Sequence, residues 1–169
     1  SAITNLYLPI TRLAKKIKKV LDVPIVIGGI HPTSIPEEVI KDECYDAVCI
    51  GEGEEPLEEL LQRLEEKRPY TDVKNLWVRD AEGKIHKNPK RPIIKSLDTL
   101  PTADKSLFEK YGALGSQLNI MTTRGCPFEC TFCVNSFRNS LYTGETYLRQ
   151  RSVKNVIDGI TDILKTYKF

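Results

Sequence analysis

Residues 118–133 are Leu-Asn-Ile-Met-Thr-Thr-Arg-Gly-Cys-Pro-Phe-Glu-Cys-Thr-Phe-Cys, an apolar run that leads into three clustered cysteines. The run predicts a strand over residues 117–123, as the start of a second β/α unit. Arg-Gly-Cys-Pro then ends this strand and begins a loop, because glycine and proline favour turns. The cysteines Cys126, Cys130 and Cys133 lie on that loop with the spacing C-x3-C-x2-C.

The three cysteines are candidate metal ligands. Three thiolates on one loop can hold three corners of a 4Fe–4S cluster and leave the fourth iron open to a ligand. A structural zinc site would need a fourth protein ligand. The remaining cysteines and the histidines of the chain, all distant in sequence, are Cys44, Cys49, His31 and His86. A zinc site completed by a partner chain and a set of three buried structural thiols are the alternatives.

Length and composition exclude several classes of protein. The 169 residues can form one full domain or two incomplete ones, and 40% apolar with 28% charged residues is ordinary for a globular protein. The sequence contains no run of about 18 consecutive apolar residues, so no membrane span is predicted. The first residues do not resemble a signal peptide. An odd number of cysteines, three of them clustered, favours metal binding in a reducing compartment. A cytoplasmic location is therefore expected.

Charge is distributed unevenly along the chain. Residues 1–68 carry nine Lys and Arg against thirteen Asp and Glu, whereas residues 69–169 carry sixteen against ten. The basic C-terminal part could suit an anionic ligand. Its positive residues are scattered among acidic ones and no basic stripe is interleaved with aromatic residues, so nucleic acid is not expected as a partner.

The N-terminal part alternates helix and strand patterns. Helices are predicted over Thr11–Asp22, from a Ser34–Glu37 capping box to about Asp42, and from Pro56 onward. A short apolar run at Pro24–Ile27 predicts a strand buried on both faces of a parallel sheet. Residues Tyr45–Ile50 predict the next strand. This order with short connections predicts an α/β layer with parallel strands.

The pattern changes after Lys67. Two short runs around Asp80-Ala81-Glu82-Gly83 predict a hairpin, and three prolines between Asn88 and Ala103 predict an extended linker. A last helix is predicted from about Ser152, which would be its cap. The predicted domains are residues 1–68, the hairpin and linker at 69–116, and the second β/α unit at 117–169.

Two glycine-bearing loops follow the two predicted N-terminal strands. The first is Gly28-Gly29-Ile30-His31-Pro32-Thr33 and the second is Gly51-Glu52-Gly53-Glu54-Glu55. In an open parallel sheet, ligands lie beyond the carboxyl ends of the strands, and glycines there let a bulky ligand approach the backbone. Turn formation alone is the alternative for each loop.

At the cysteines the sequence resembles the radical S-adenosylmethionine (SAM) superfamily, whose signature has this spacing and an aromatic residue, here Phe132, before the third cysteine. The two glycine loops resemble the second half of the cobalamin-binding domain that precedes the radical SAM domain in one large subgroup. The resemblance implies an α/β chain: the C-terminal half of a Rossmann-like cobalamin-binding layer, a hairpin and proline-rich linker, and the first β/α unit of a partial TIM-type barrel.

The resemblance also implies cofactors and roles. Cys126, Cys130 and Cys133 would hold a 4Fe–4S cluster whose open iron takes SAM, and Phe132 would lie near the adenine. The residues placed near the nucleotide tail of cobalamin are Gly28, Gly29, His31, Gly51, Glu52 and Gly53. The implied activity is reductive cleavage of SAM followed by methyl transfer or a related radical reaction on a small-molecule substrate, with a reductant protein as electron donor.

Two other functions remain open at this point. One is a radical SAM enzyme without bound cobalamin, similar to a methylthiotransferase, and the other is a non-enzymatic zinc or interaction module. Only two of the roughly five strands of a complete nucleotide-binding sheet are predicted. We therefore expect the chain to be a fragment across a domain junction, inactive toward SAM by itself.

Overall fold

The computed structural model describes residues 1–112 and 119–167. The chain divides into two compact units, Ser1–Ile93 and Ile94–Phe169. No helix among the described residues is both long enough and apolar enough to cross a bilayer.

The first unit is a four-stranded sheet with helices. Its elements are α1 Thr4–Lys18, β1 Val26–Ile27, α2 Ile30–Ser34, α3 Pro36–Val39, β2 Ala47–Cys49, α4 Glu54–Glu65, β3 Leu76–Arg79 and β4 Ile85–Lys87. The strand order is β1-β2-β3-β4. Strands β1 and β2 are parallel, with Val26 opposite Ala47. The predicted α/β class and the parallel pairing of these two strands are thus confirmed.

The predicted hairpin forms, and it joins the same sheet. Strand β3 pairs antiparallel with β2, with Cys49 opposite Leu76, and β4 pairs with β3. Leu76 and Val78 are buried whereas Trp77 and Arg79 between them are half-buried. One face of β3 is therefore part of the core, and the first compact unit runs to Ile93, past the boundary expected near residue 68.

The core of this unit lies on both sides of the sheet. One cluster joins α1 to β1 and β2, and the other joins α4 to β2 and β3. The buried members are Ala2, Ala14, Ile27, Val39, Ile40, Cys44, Tyr45 and Val48 in the first cluster and Ala47, Cys49, Leu60, Val73, Leu76 and Val78 in the second. Strand β2 contributes to both clusters because all three of its residues are buried. This accounts for its continuous apolar sequence.

The predicted starts of three helices are wrong, and α1 and α3 end at Lys18 and Val39 rather than at Asp22 and about Asp42. Helix α1 begins at Thr4 rather than Thr11 and continues through Pro9. The predicted capping box does not form, since the Ser34 hydroxyl donates to the Ile30 carbonyl and α3 begins at Pro36. Helix α4 begins at Glu54, so that Pro56 lies in the first turn, where a backbone N–H has no partner within the helix in any case.

The second unit contains short strands and three α-helices among its described residues. Its elements are a 3₁₀ turn at Leu97–Thr99, α5 Ser106–Lys110, β5 Thr123–Arg124, α6 Val134–Leu141, β6 Arg149–Gln150 and α7 Val153–Thr166. Strand β5 pairs antiparallel with β6. The predicted cap of α7 is confirmed, because the Ser152 hydroxyl accepts a hydrogen bond from the Asn155 N–H at 3.1 Å.

The strand predicted over residues 117–123 is much shorter in the structure. Residues 117 and 118 lie outside the described residues, residues 119–122 are not in a strand, and β5 is limited to Thr123 and Arg124. Helix α6 and strand β6 were not predicted. Helix α6 is rich in Asn and Ser and therefore lacks the apolar periodicity that indicates a helix.

Candidate cofactor sites

The two glycine loops lie side by side in the first unit. The first follows β1 and the second follows β2, and since these strands are parallel both loops are at the same edge of the sheet. The backbone N–H of Gly51 donates a hydrogen bond to the hydroxyl of Thr33 at 3.1 Å, and Thr33 is buried. Helix α2 thus links the two loops, as expected for one ligand site made from both.

The glycines of the first loop are restricted by the packing of the protein itself. Gly29 has a φ of +113°, and a Cβ there would lie 2.5 Å from the Ser1 hydroxyl and 2.7 Å from the Ala2 nitrogen. A Cβ on Gly28 would lie 3.2 Å from that of Cys49. Gly29 is therefore required by the fold itself, and a side chain at position 28 would be in tight contact with Cys49, whether or not a ligand approaches.

Gly53 in the second loop is different. A Cβ at this position would meet only the Cys49 sulfur, at 3.7 Å, which is an ordinary van der Waals distance. Its φ of −105° is accessible to any residue. Packing does not demand glycine here, so the space left by the missing side chain fits a ligand that approaches the backbone.

His31 presents a polar atom without a partner. Its Nδ1 lies 3.2 Å from the Thr4 hydroxyl, and its ring lies 4.4 Å from the ring of Tyr7. Its Nε2 is buried and makes no hydrogen bond in the described part of the chain. Since buried polar atoms are rarely left unsatisfied, this nitrogen fits the predicted contact with a bound cofactor.

Asp42 accepts two hydrogen bonds, one of them from Tyr7, whose ring lies beside the His31 ring. The Tyr7 hydroxyl donates to its Oδ2 at 2.6 Å and the Lys15 ammonium to its Oδ1 at 2.9 Å. Burial by itself would raise the pKa of Asp42, but the bonds from Tyr7 and Lys15 outweigh it and hold this pKa below its ordinary value. The same carboxylate, together with burial, raises the pKa of Tyr7.

An Asp42→Asn substitution is expected to destabilise the protein by about 1 kcal/mol at pH 7. Because the folded-state pKa of Asp42 is lowered, its contribution is complete above the unfolded value near 3.8 and is lost as pH falls through the folded value. Urea unfolding should therefore show the difference between variant and unaltered protein shrinking below about pH 3.8. The control is Asp22→Asn, a substitution at an exposed aspartate. A difference in the free energy of unfolding between Asp42→Asn and the unaltered protein that stays constant down to pH 2 would contradict the prediction.

Cys49 fills the space between the two loops. Its side chain faces Gly28 and Gly53, and its sulfur lies 3.9 Å from the Glu52 carbonyl oxygen. Burial, reinforced by Glu54, raises the pKa of this thiol to about 11. It therefore stays protonated at neutral pH, and its contacts with Gly28 and Gly53 make Cys49 a packing residue. Cys49 and Thr33 were not predicted as site residues. Cys49 could have been found from the sequence, because it lies at the end of a predicted strand, next to the second glycine loop.

The three clustered cysteines lie between β5 and α6. Cys130 is exposed, Cys126 and Cys133 are partly exposed, and all three are free thiols, so they are not the buried structural thiols of one alternative. The Cys130 carbonyl accepts hydrogen bonds from the Cys133 N–H at 2.9 Å and the Ser136 hydroxyl at 2.8 Å. Three cysteine sulfurs are the type of ligand that an iron–sulfur cluster binds. Within residues 1–112 and 119–167, however, no three Cys, His, Asp or Glu side chains are gathered closely enough to hold a metal ion.

Gly125 fixes the start of the cysteine loop. Its φ is +94°, and a Cβ there would lie 2.6 Å from the Tyr147 carbonyl oxygen and 2.8 Å from the Leu148 Cα. The backbone before Cys126 thus packs directly against the chain leading into β6. Glycine is required here by both conformation and space.

Phe132, the aromatic residue before the third cysteine, is 92% exposed. Phe128 on the same loop is also exposed. Large aromatic side chains in this state can cover a bound ligand. The position of Phe132 is compatible with the predicted adenine contact, which stays a prediction.

Comparison with known proteins agrees with these features. Residues 1–61 match the family model of the B12 binding domain. The chain is 35% identical over 156 residues to an uncharacterised methyltransferase of Pyrococcus horikoshii, an alignment that covers 90% of this chain and 32% of that protein. It is 30% identical over 165 residues to the anaerobic magnesium-protoporphyrin IX monomethyl ester cyclase of Rubrivivax gelatinosus, covering 92% and 28% respectively.

The fold is similar to that of part of a solved radical SAM methyltransferase. The structure of TsrM from Kitasatospora setae, with cobalamin and a [4Fe-4S] cluster bound, superposes with a TM-score of 0.64 at 19% identity. The superposition covers 95% of this chain and 32% of TsrM. The chain thus spans about a third of the length of the proteins it matches.

Proposed function

We propose that this chain, which is related in sequence and in fold to the cobalamin-dependent radical SAM enzymes, forms part of such an enzyme and contributes residues to two cofactor sites. Cobalamin would lie at the two glycine loops of the first unit. The 4Fe–4S cluster would be held by the three cysteines of the second unit. The parent enzyme would act on a small-molecule substrate, receive electrons from a reductant protein and work in a reducing compartment.

The main support is the meeting of the two glycine loops at the carboxyl edge of β1 and β2, inside the segment that matches the B12 binding domain. The residues proposed to contact the nucleotide tail are Gly28, Gly29, His31, Gly51, Glu52 and Gly53. His31 supplies a buried nitrogen without a partner among the described residues, and Gly53 supplies open space above the backbone. Gly28 and Gly29 shape the loop that carries His31.

In the second unit Cys126, Cys130 and Cys133 would hold the cluster, and Phe132 would lie near the adenine of SAM. When bound, these cofactors supply electron transfer to SAM and methyl transfer, and the protein supplies ligands and orientation. The chain contributes three sulfur ligands from one short loop, which leaves a cluster iron for SAM. Gly125 orients that loop through its close approach to Tyr147 and Leu148.

The purified chain is expected to bind hydroxocobalamin, and Gly53→Leu is expected to weaken that binding at least tenfold, roughly 1.4 kcal/mol. A leucine would occupy the space proposed for the cofactor, whereas Gly53→Ala adds only an ordinary contact. Equilibrium dialysis with detection of the corrinoid absorbance measures the dissociation constants. Equal affinity of the alanine and leucine variants would place the cofactor elsewhere.

A radical SAM enzyme without cobalamin is the second candidate. It is favoured by one observation, namely that Gly28 and Gly29 are explained by the packing of Ser1, Ala2 and Cys49 alone. Under this alternative the first unit has only a structural role. Failure of the unaltered chain to retain any corrinoid, together with normal iron loading at the cysteines, would favour it over the main proposal.

A further inference from the structure

Asn75 lies outside the residues that match the B12 binding domain, yet it contacts the second glycine loop. It directly precedes β3, is only 2% exposed and adopts a left-handed φ of +69°. Its side-chain amide nitrogen donates to the Ile50 carbonyl at 2.8 Å and approaches the Glu52 carbonyl at 3.5 Å. Its backbone carbonyl accepts from the Ile50 N–H at 2.9 Å. Three contacts thus join one residue to the backbone of residues 50–52.

The other end of the same side chain is also engaged. The Asn75 carboxamide oxygen accepts from the Arg91 N–H at 2.7 Å, and the Asn75 N–H donates to the Pro89 carbonyl at 2.9 Å. The orientation of the carboxamide is determined, because one end faces carbonyl groups and the other faces an N–H. Arg91 in turn pairs with Glu59 on α4. Asn75 therefore connects the loop to a segment that is itself attached to α4.

We propose that Asn75 is a positioning residue for the cofactor site, which holds Gly51, Glu52 and Gly53 in the conformation that accepts cobalamin. This inference rests on the proposed function. The loop has a glycine at each side of Glu52, so hydrogen bonds from outside the loop contribute to its shape. Thr33 supplies one of these bonds, to the Gly51 N–H, and Asn75 supplies those to the Ile50 and Glu52 carbonyls.

Asn75→Gly provides the test, because glycine keeps the left-handed backbone while it removes the carboxamide. The matched control is Asn88→Gly. Asn88 also donates to carbonyls in this unit, those of Thr71, Val73 and Leu76, but to none in the glycine loop. Both variants should lose stability, since each leaves buried carbonyl groups without their donor. Only the Asn75 variant should affect the loop.

Two measurements separate positioning from general destabilisation. Hydrogen–deuterium exchange at the amides of residues 50–53 should become faster in Asn75→Gly and stay unchanged in Asn88→Gly. The hydroxocobalamin dissociation constant should rise about tenfold in the first and stay unchanged in the second. Unchanged exchange at residues 50–53 in Asn75→Gly, or faster exchange without loss of affinity, overturns the inference. Absence of cobalamin binding by the unaltered chain instead counts against the proposed function, and the exchange comparison alone then decides whether Asn75 positions the loop.

Discussion

Anaerobic reconstitution of the chain with iron and sulfide is expected to give about four iron atoms per chain. Replacement of Cys126, Cys130 or Cys133 by alanine should remove most of this iron, because a cluster held at three corners loses a third of its protein ligands with each substitution. Iron analysis and the visible absorbance of the cluster measure the effect. This is the largest change we expect from any single substitution in the chain.

The control for the cysteine variants is Cys44→Ala. Cys44 is buried, and burial raises the pKa of its thiol, so it is a poor ligand at neutral pH. This variant should keep its iron. Retention of iron after all three loop cysteines are replaced would contradict the cluster assignment. Zinc in place of iron in anaerobic preparations would support the alternative of a zinc module.

Gly125→Ala is expected to be the most damaging substitution that leaves every proposed ligand in place. A left-handed φ costs a non-glycine residue about 1–2 kcal/mol, and the new Cβ would also lie 2.6 Å from the Tyr147 carbonyl oxygen. Backbone cannot move aside as a flexible side chain can, so the start of the cysteine loop must shift. We expect a lower melting temperature and incomplete iron loading although all three thiols are present.

Gly144→Ala is the matched control for this prediction. Gly144 also has a positive φ, +85°, but nothing lies within 4 Å of the position its Cβ would take. The Gly144→Ala substitution should lower the free energy of unfolding only by the cost of the left-handed backbone, about 1–2 kcal/mol. It should leave iron loading unchanged. If both alanine variants behave alike, the contact of Gly125 with residues 147 and 148 has no influence on the cysteine loop.

Local sequence patterns correctly predicted the helices and strands that are indicated by their own residues. The apolar runs predicted as strands at Pro24–Ile27 and Tyr45–Ile50 contain the shorter strands Val26–Ile27, in which only Ile27 is fully buried, and Ala47–Cys49, which is buried throughout. Ser152 caps α7 as expected from its position before an apolar repeat. The adjacency of the two glycine loops followed from parallel pairing. In each case a few neighbouring residues carry the information.

The features that were not predicted, among them the place of the predicted hairpin in the sheet, depend on distant partners. Strand β3 is part of the sheet because Leu76 lies opposite Cys49, and β6 exists because Arg149 lies opposite Arg124. Neither pairing is indicated by a pattern in the local sequence. Helix α1 extends to Thr4 although Pro9 favours a boundary there, and Ala2 just before it bonds to the Gly28 carbonyl. The roles of Thr33 and Asn75 likewise appear only once the sheet is assembled.

The contacts of Asn75 also have a consequence for synthesis on the ribosome. Strand β2 and the second glycine loop leave the exit tunnel before β3. The hydrogen bonds to the Ile50 and Glu52 carbonyls therefore cannot form until Asn75 has also emerged. The partner of its carboxamide oxygen, Arg91, follows sixteen residues later. Since domains fold as units during translation, the loop should acquire its final shape only after Arg91 has emerged. Cofactor capture by the nascent chain should therefore begin late, when most of the first unit is already outside the ribosome.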